Sequence, residues 1–233
     1  RNMFTFAMLS LCINYRVRHG RMPESPFIYL LNCKPLDDSD FKDIPKVIAK
    51  ELLPEYIRYI HCGDESSAQQ VLSELHDNIK GAVSVDDTDK YFFVFGYQRA
   101  EELKSEIKLS QGDDIDSLFN LMKNGSNKPQ LSPKELFHLI VKAGAKQGVH
   151  VILWQDSYKA LEQDDNNIMS YFNLKVAFDM SPEEFSRSVG ENDISLLSEN
   201  NAIYYNKARD NQKFRPYQAP DEEWLKGISM KLH

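Results

Sequence analysis

The sequence predicts an α/β fold, a mostly parallel sheet covered by helices, and three observations lead to it. Apolar runs rich in Ile, Val, Tyr and Phe recur at Phe27 to Cys33, Tyr91 to Phe95, Val149 to Trp154 and Lys175 to Phe178. They are mostly continuous where a one-sided strand would alternate, so burial on both faces is expected, as in a parallel sheet between helices. Helical patterns lie between them, which is the strand–helix–strand grammar of right-handed crossovers.

Taken in order, the chain opens on Arg1 and enters an apolar helical stretch, Met3 to Ile13, with no capping residue and loop ahead of it. That opening leads us to expect a piece cut from a longer protein. Phe41 to Leu53 reads as a helix behind a run of Asp and Ser that can cap it, and Tyr56 to His61 is a fifth strand candidate. Ser66 to Ile79 places Val71, Leu72, Leu75 and Ile79 on one helical face. Ser132-Pro133-Lys134-Glu135 is an N-terminal helix signature, with Ser as cap, Pro at the first position and Glu at the third. The helix it opens is expected to run to about Ala145 and end at Gly148.

Leu109 to Gln130 is a polar insertion carrying Gly112, Asp113, Asp114, Asn124, Gly125 and Asn127, read as a mobile loop with a short helix near Ile115 to Met122. After Asn200, Ala202 to Tyr205 and Lys213 to Tyr217 read as an antiparallel hairpin, and Trp224-Leu225 as a short closing helix. We therefore expect a single domain over 1–233, with the insertion at 109–130 and a C-terminal hairpin and helix at 201–228.

Composition narrows the class. A chain of 233 residues, 42% hydrophobic and 27% charged, is ordinary for a globular protein. Folding at that size buries roughly 70% of the unfolded surface, so neither metal nor disulfide is required for stability. No apolar run approaches the roughly 20 residues of a membrane span. Cys12, Cys33 and Cys62 sit in apolar segments without paired CxxC spacing, and we read them as buried thiols of a reducing, cytoplasmic compartment. The net charge of −7 argues against a broad face for duplex DNA.

Motifs for catalysis are missing. The sequence contains no GxxxxGK[ST] phosphate loop, no GxGxxG, no HExxH and no GxSxG. The six histidines show no ligand spacing. Three strands end in polar groups, however, and the carboxyl ends of strands are where open α/β sheets place ligands. They are Tyr91 to Phe95, followed by Gly96-Tyr97-Gln98-Arg99; Val149 to Trp154, followed by Gln155-Asp156; and Lys175 to Phe178, followed by Asp179 to Ser181. In a nucleotide hydrolase the positions after such a strand would be Asp and Glu, holding magnesium and orienting water.

Together these segments resemble the motor domain of the FtsK/SpoIIIE and HerA group of P-loop ATPases. The resemblance rests on Gly148-Val-His-Val-Ile-Leu-Trp-Gln-Asp-Ser157, Lys175-Val-Ala-Phe-Asp-Met-Ser181 and Phe185-Ser-Arg-Ser-Val189, in that order and spacing. Phe95-Gly-Tyr-Gln-Arg99, Gln212-Lys-Phe-Arg-Pro-Tyr217 and Trp224-Leu225 are similar to the last ATPase-like unit of bacterial FtsK-like proteins. Over roughly residues 27 to 228 it implies a RecA-like P-loop fold, with ATP and Mg²⁺ as the family's cofactors, bound here weakly or not at all. It places Gly96 and Tyr97 at the Walker B pair, Gln155 or Asp156 at the polar sensor, and Arg187 at a subunit or domain contact. It also places the phosphate loop upstream of Arg1, with its strand in the middle of the sheet beside Tyr91 to Phe95 and Val149 to Trp154.

Neither Gly96 nor Tyr97 can hold magnesium, so we expect no catalytic residue and no metal site in this chain. The reading that follows is a degenerate, non-hydrolysing ATPase-like domain of a larger translocase-related protein, acting in assembly or regulation. Its implied partners are other ATPase domains of the same protein, in a hexameric ring, and DNA only through the full assembly. Two alternatives stay open: an active DNA-translocase motor with its Walker A upstream and Asp156 recruited as the acid, and a protein-interaction module on a nucleotide-binding fold.

Overall fold

The computed structural model describes residues 2–33, 44–81, 88–106, 131–159, 168–189, 201–206, 209–216, 218 and 220–233. The insertion expected at Leu109 to Gln130 lies outside the described residues.

At the centre is a parallel sheet of β1 (Ile28–Asn32), β2 (Ile57–His61), β3 (Lys90–Phe95) and β4 (Val149–Trp154) in the order β2-β1-β3-β4. β1 is buried at every position, as its continuous apolar sequence requires. Alternation then divides each strand between two cores. Tyr29, Leu31, Phe92 and Val94 face one side and pack under α3 (Glu65–Ile79) and α4 (Pro133–Ala143), meeting Val71, Leu72, Leu75, Phe137 and Ile140. Ile28, Leu30, Phe93 and Phe95 face the other, under α1 (Asn2–His19) and α2 (Ile44–Val47), whose last turn widens to a π-helical one over Ile48–Leu52.

The capping signals act as their chemistry dictates. Ser132 accepts from the Glu135 amide while the Glu135 carboxylate accepts from the Ser132 amide at 2.8 Å, a complete capping box at the start of α4. Asp64 caps α3 through the Ser67 amide at 3.0 Å, and that bond chiefly holds its carboxyl below the usual range.

A second sheet is antiparallel, with β5 (Leu174–Ala177), β6 (Ala202–Asn206) and β7 (Arg209–Phe214) in that order. α5 (Pro182–Val189) covers it, closing a small core of Ala177, Phe185, Val189 and Ile203. The closing helix is α6 (Glu222–Leu232), capped by Asp221 through the Trp224 amide at 2.7 Å. It leaves the hairpin and joins the large core: Leu225 and Leu232 are buried there, Ser229 donates to the Leu52 carbonyl at 2.9 Å, and Trp224 meets the Phe6 ring edge-on.

Three expectations need correction, and one is borne out. The run at Lys175 to Phe178 is not a strand of the parallel sheet; it pairs antiparallel with β6, and Leu174 and Val176 are exposed. Tyr56 to His61 does belong to that sheet, as its outer strand beside β1. No lane is open between β3 and β4, which pair directly from Lys90 and Val149 to Phe95 and Trp154. The helix at Met3 to Ile13 therefore has no missing-strand gap between those two to follow from. Finally, Cys62 is exposed, because it stands just past the end of β2, while Cys12 and Cys33 are buried. No helix among the described residues is long and apolar enough to cross a membrane.

Candidate functional site

All four strands of the parallel sheet end at one edge, and the polar residues singled out by the sequence gather there. β3 ends at Phe95, and the chain turns at Gly96 with φ of +81°, a conformation in which side chains are strained. A Cβ at Gly96 would sit 2.4 Å from the Cys33 carbonyl oxygen, so the backbone after β3 passes against the end of β1 only because this residue is glycine.

Tyr97 then drops inward. Its ring is 2% exposed and stacks on Phe137 with centroids 5.5 Å apart, and the Lys104 ammonium lies 5.4 Å above it. Of Gly96 and Tyr97, which the resemblance would place at the Walker B pair, one has no side chain and the other buries its own in the core. Neither presents a carboxylate to the edge.

Two short 3-10 turns, Tyr97–Arg99 and Glu101–Leu103, bring Gln98 and Arg99 back across the end of β4. Arg99 uses the space that glycine leaves: its Nη2 would be 2.6 Å from a Cβ at Gly96. Its Nε donates to the Cys33 carbonyl at 2.6 Å and its Nη1 to Asp156 Oδ2 at 2.9 Å. Asp156 also accepts from the Gln98 amide and, at 2.9 Å, from the Trp154 indole. Burial alone pushes the Asp156 carboxyl up, but bonds from Trp154, Arg99 and Gln98 and the Arg99 charge outweigh it and hold it below the usual carboxylate range.

Gln155 donates to the Ser157 carbonyl at 3.1 Å. Among the described residues, Gln98 Oε1, Gln155 Oε1 and Arg99 Nη2 are buried without a hydrogen-bond partner. Gly96, Gln155 and Asp156 are thus brought together, whereas Arg187 stands on α5, half-exposed and paired with Glu183 at 2.6 Å. What this edge can do chemically is limited. Asp156 is ionised and accepts from Arg99, Gln98 and Trp154, and among the described residues no second carboxylate or nucleophile joins it in the network.

Beside it lies a cluster the sequence does not announce. Cys33, Cys62 and Glu102 each place one ligand atom within 4.8 Å of the others. Cys33 Sγ is 3.7 Å from Glu102 Oε1, which accepts from the Gly63 amide at 3.0 Å, and Cys62 Sγ is 3.6 Å from the Arg99 carbonyl oxygen. Burial above all, then the neighbouring Cys62 thiol and the Glu102 charge, pushes the Cys33 thiol well above its ordinary value. The one sequence signal is positional: each cysteine directly follows the last residue of a strand.

Two surface hollows among the described residues lie elsewhere. A groove of about 680 Å³ runs along α4 between Glu106, His138 and Tyr171, and one of about 190 Å³ sits at the opposite edge of the sheet, between Tyr15, Asp89 and Tyr91. No family model matches the sequence, and no curated protein is found to be similar to it.

Proposed function

We propose that this chain is a non-hydrolysing, ATPase-like module of the FtsK/SpoIIIE–HerA type, serving assembly or regulation in a larger cytoplasmic translocase-related protein. The observation that carries the reading is the exit of β3, where Gly96 and Tyr97 offer no ligand for magnesium. Phosphoryl transfer on such a sheet depends on a metal-holding acid at this place. Asp156, the acid available next door, is tied to Arg99, Gln98 and Trp154, and moving it to a metal would break three hydrogen bonds. ATP and Mg²⁺ would be bound weakly or not at all, the partners would be sister ATPase domains in a ring, and DNA would be met only through that assembly. The RecA-like P-loop topology belongs to this proposal; the parallel four-stranded sheet between helices is compatible with it.

The test is phosphate release by the purified chain with Mg-ATP, alongside calorimetric titration of the nucleotide. Background rates are expected from the native chain and from Asp156→Asn alike. Turnover that Asp156→Asn abolishes would overturn the proposal in favour of a working motor.

One observation favours a second reading, a protein-interaction module. β4 is apolar at five of its six positions, yet its outer edge pairs with no strand among the described residues. Apolar edges of this kind accept added strands.

A further inference from the structure

The end of β1 and the end of β2 deliver two thiols to one point. Asn32 pairs with His61 across the parallel ladder, so the next residues, Cys33 and Cys62, leave the sheet side by side. Alternation turns Cys33 toward the same face as Leu31, and the Glu102 carboxylate reaches that point from the second turn after β3. The Gly63 amide holds the carboxylate oxygen that faces Cys33. Three potential ligands thus converge, two directly after the paired ends of β1 and β2 and the third from the short turn Glu101–Leu103.

A hydrogen-bonded thiol pair with a neighbouring acid is the plainer account, and one feature sits badly with it. Glu102 is only 3% exposed, and its described partners are one backbone amide and one thiol. A thiol is a weak donor, and a buried carboxylate calls for stronger compensation. A metal ion in place of the thiol protons would supply it.

The spacing agrees. In a tetrahedral zinc site, bond lengths of about 2.3 Å to sulfur and about 2.1 Å to oxygen put S and O roughly 3.6 Å apart, and two sulfurs about 3.8 Å apart. The observed Cys33–Glu102 separation is 3.7 Å, and no pair of the three atoms exceeds 4.8 Å. Closing around an ion takes shifts of about 1 Å or less.

We propose that Cys33, Cys62 and Glu102 form a site for Zn²⁺, with two thiolates, one carboxylate and a fourth position taken by water on the exposed side, next to Cys62. Two sulfur ligands select a borderline-soft ion over magnesium or calcium. Binding releases the two thiol protons to solvent and transfers no electron. His61 is not the fourth ligand: it lies 2.9 Å from the Lys50 ammonium and edge-on to Tyr59. The assignment stands independently of the nucleotide-fold reading, since none of its ligands is a Walker or sensor position.

The test uses the full chain, reduced, stripped of metal with a chelator, and titrated with Co²⁺ as the spectroscopic probe. A thiolate-to-cobalt charge-transfer band with the intense visible bands of tetrahedral cobalt is expected, bleached by one equivalent of Zn²⁺. Zinc affinity is then read by competition with a chromophoric chelator. Cys62→Ser changes an exposed residue, and Glu102→Gln keeps an oxygen for the Gly63 amide, so both should fold, as circular dichroism would verify. Each is expected to weaken Zn²⁺ binding at least about 10-fold. Absence of the charge-transfer band, or unchanged affinity in both folded variants, would overturn the site. So would a Cys33–Cys62 disulfide in the unreduced chain combined with no zinc uptake after reduction.

Discussion

Arg99 and Asp156 join the exits of β3 and β4: the guanidinium Nη1 donates to the carboxylate at 2.9 Å, while Nε holds the end of β1 through the Cys33 carbonyl. One side chain therefore ties three strand ends, and it does so across a glycine. At the place where the resemblance implies magnesium ligands, the protein has built a structural clamp.

Gly96→Ala tests the clamp. The added methyl meets the Cys33 carbonyl at 2.4 Å and Arg99 Nη2 at 2.6 Å, in a backbone conformation that alanine already resists. We expect a loss of about 2 kcal/mol or more, read as a lower urea midpoint with an unchanged slope.

Tyr97→Glu asks whether a lost acid can be restored. The Tyr97 ring is buried against Phe137, so a carboxylate there enters the core rather than the edge. The expected result is destabilisation by about 3 kcal/mol or more with no gain of Mg-ATP binding. Calorimetric titration of Mg-ATP into the variant, giving micromolar binding, would contradict it.

The pH dependence of stability follows from Asp156. Its pKa is depressed in the folded state, so its contribution is present above the unfolded value near 3.9 and is lost as pH falls through the lower folded one. Asp156→Asn is expected to be less stable than the native chain at neutral pH, with the difference shrinking below about pH 4. Asp64 and Glu184, shifted the same way chiefly by bonds to the Ser67 amide and the Ser157 hydroxyl, keep some acid sensitivity in the variant. Denaturant midpoints across pH would show it.

Ser132→Ala removes one half of the capping box on α4. A cost of about 1 kcal/mol is expected, seen as a lower thermal midpoint, and Ser132→Asp should recover most of it.

DNA binding gives a negative expectation. The segment Leu109 to Gln130 holds Lys123 and Lys128 against Asp113, Asp114 and Asp116, and the whole chain carries −7. Phosphate-tracking loops need surplus positive charge. Fluorescence anisotropy should detect no binding by this chain at physiological salt. Micromolar, salt-dependent affinity reduced by Lys123→Ala and Lys128→Ala would restore the motor reading.

The parts of the fold legible in sequence are those whose signal is local. β1, β3 and β4 declare themselves because each strand fills two cores at once, and α4 because its cap is written in four consecutive residues. β2 is harder to read, since Arg58 and His61 break the apolar run on an outer strand. β5 misleads for the opposite reason: four residues are too few to tell a doubly buried strand from one whose outward face carries Leu174 and Val176. At the carboxyl edge, the polar endings of β3 and β4 could be read, but not what they do. That Arg99 would reach Cys33 and Asp156, or that Cys33 would meet Cys62 and Glu102, is set by strand order and register between segments far apart in the chain.

The docking of α6 on the large core has a topological consequence. α1 and α6 touch through Phe6 and Trp224, and both cover the sheet face lined by Phe93 and Phe95. The lobe of β5, α5, β6 and β7 is therefore an insertion, tethered at two points rather than hanging as a tail. The two tethers hold it beside the end of β4, where Ser157 donates to Glu184 at 2.8 Å. They also set an order of assembly on the ribosome: one face of the central sheet stays partly uncovered until α6 has emerged, so the larger core closes after the smaller one can.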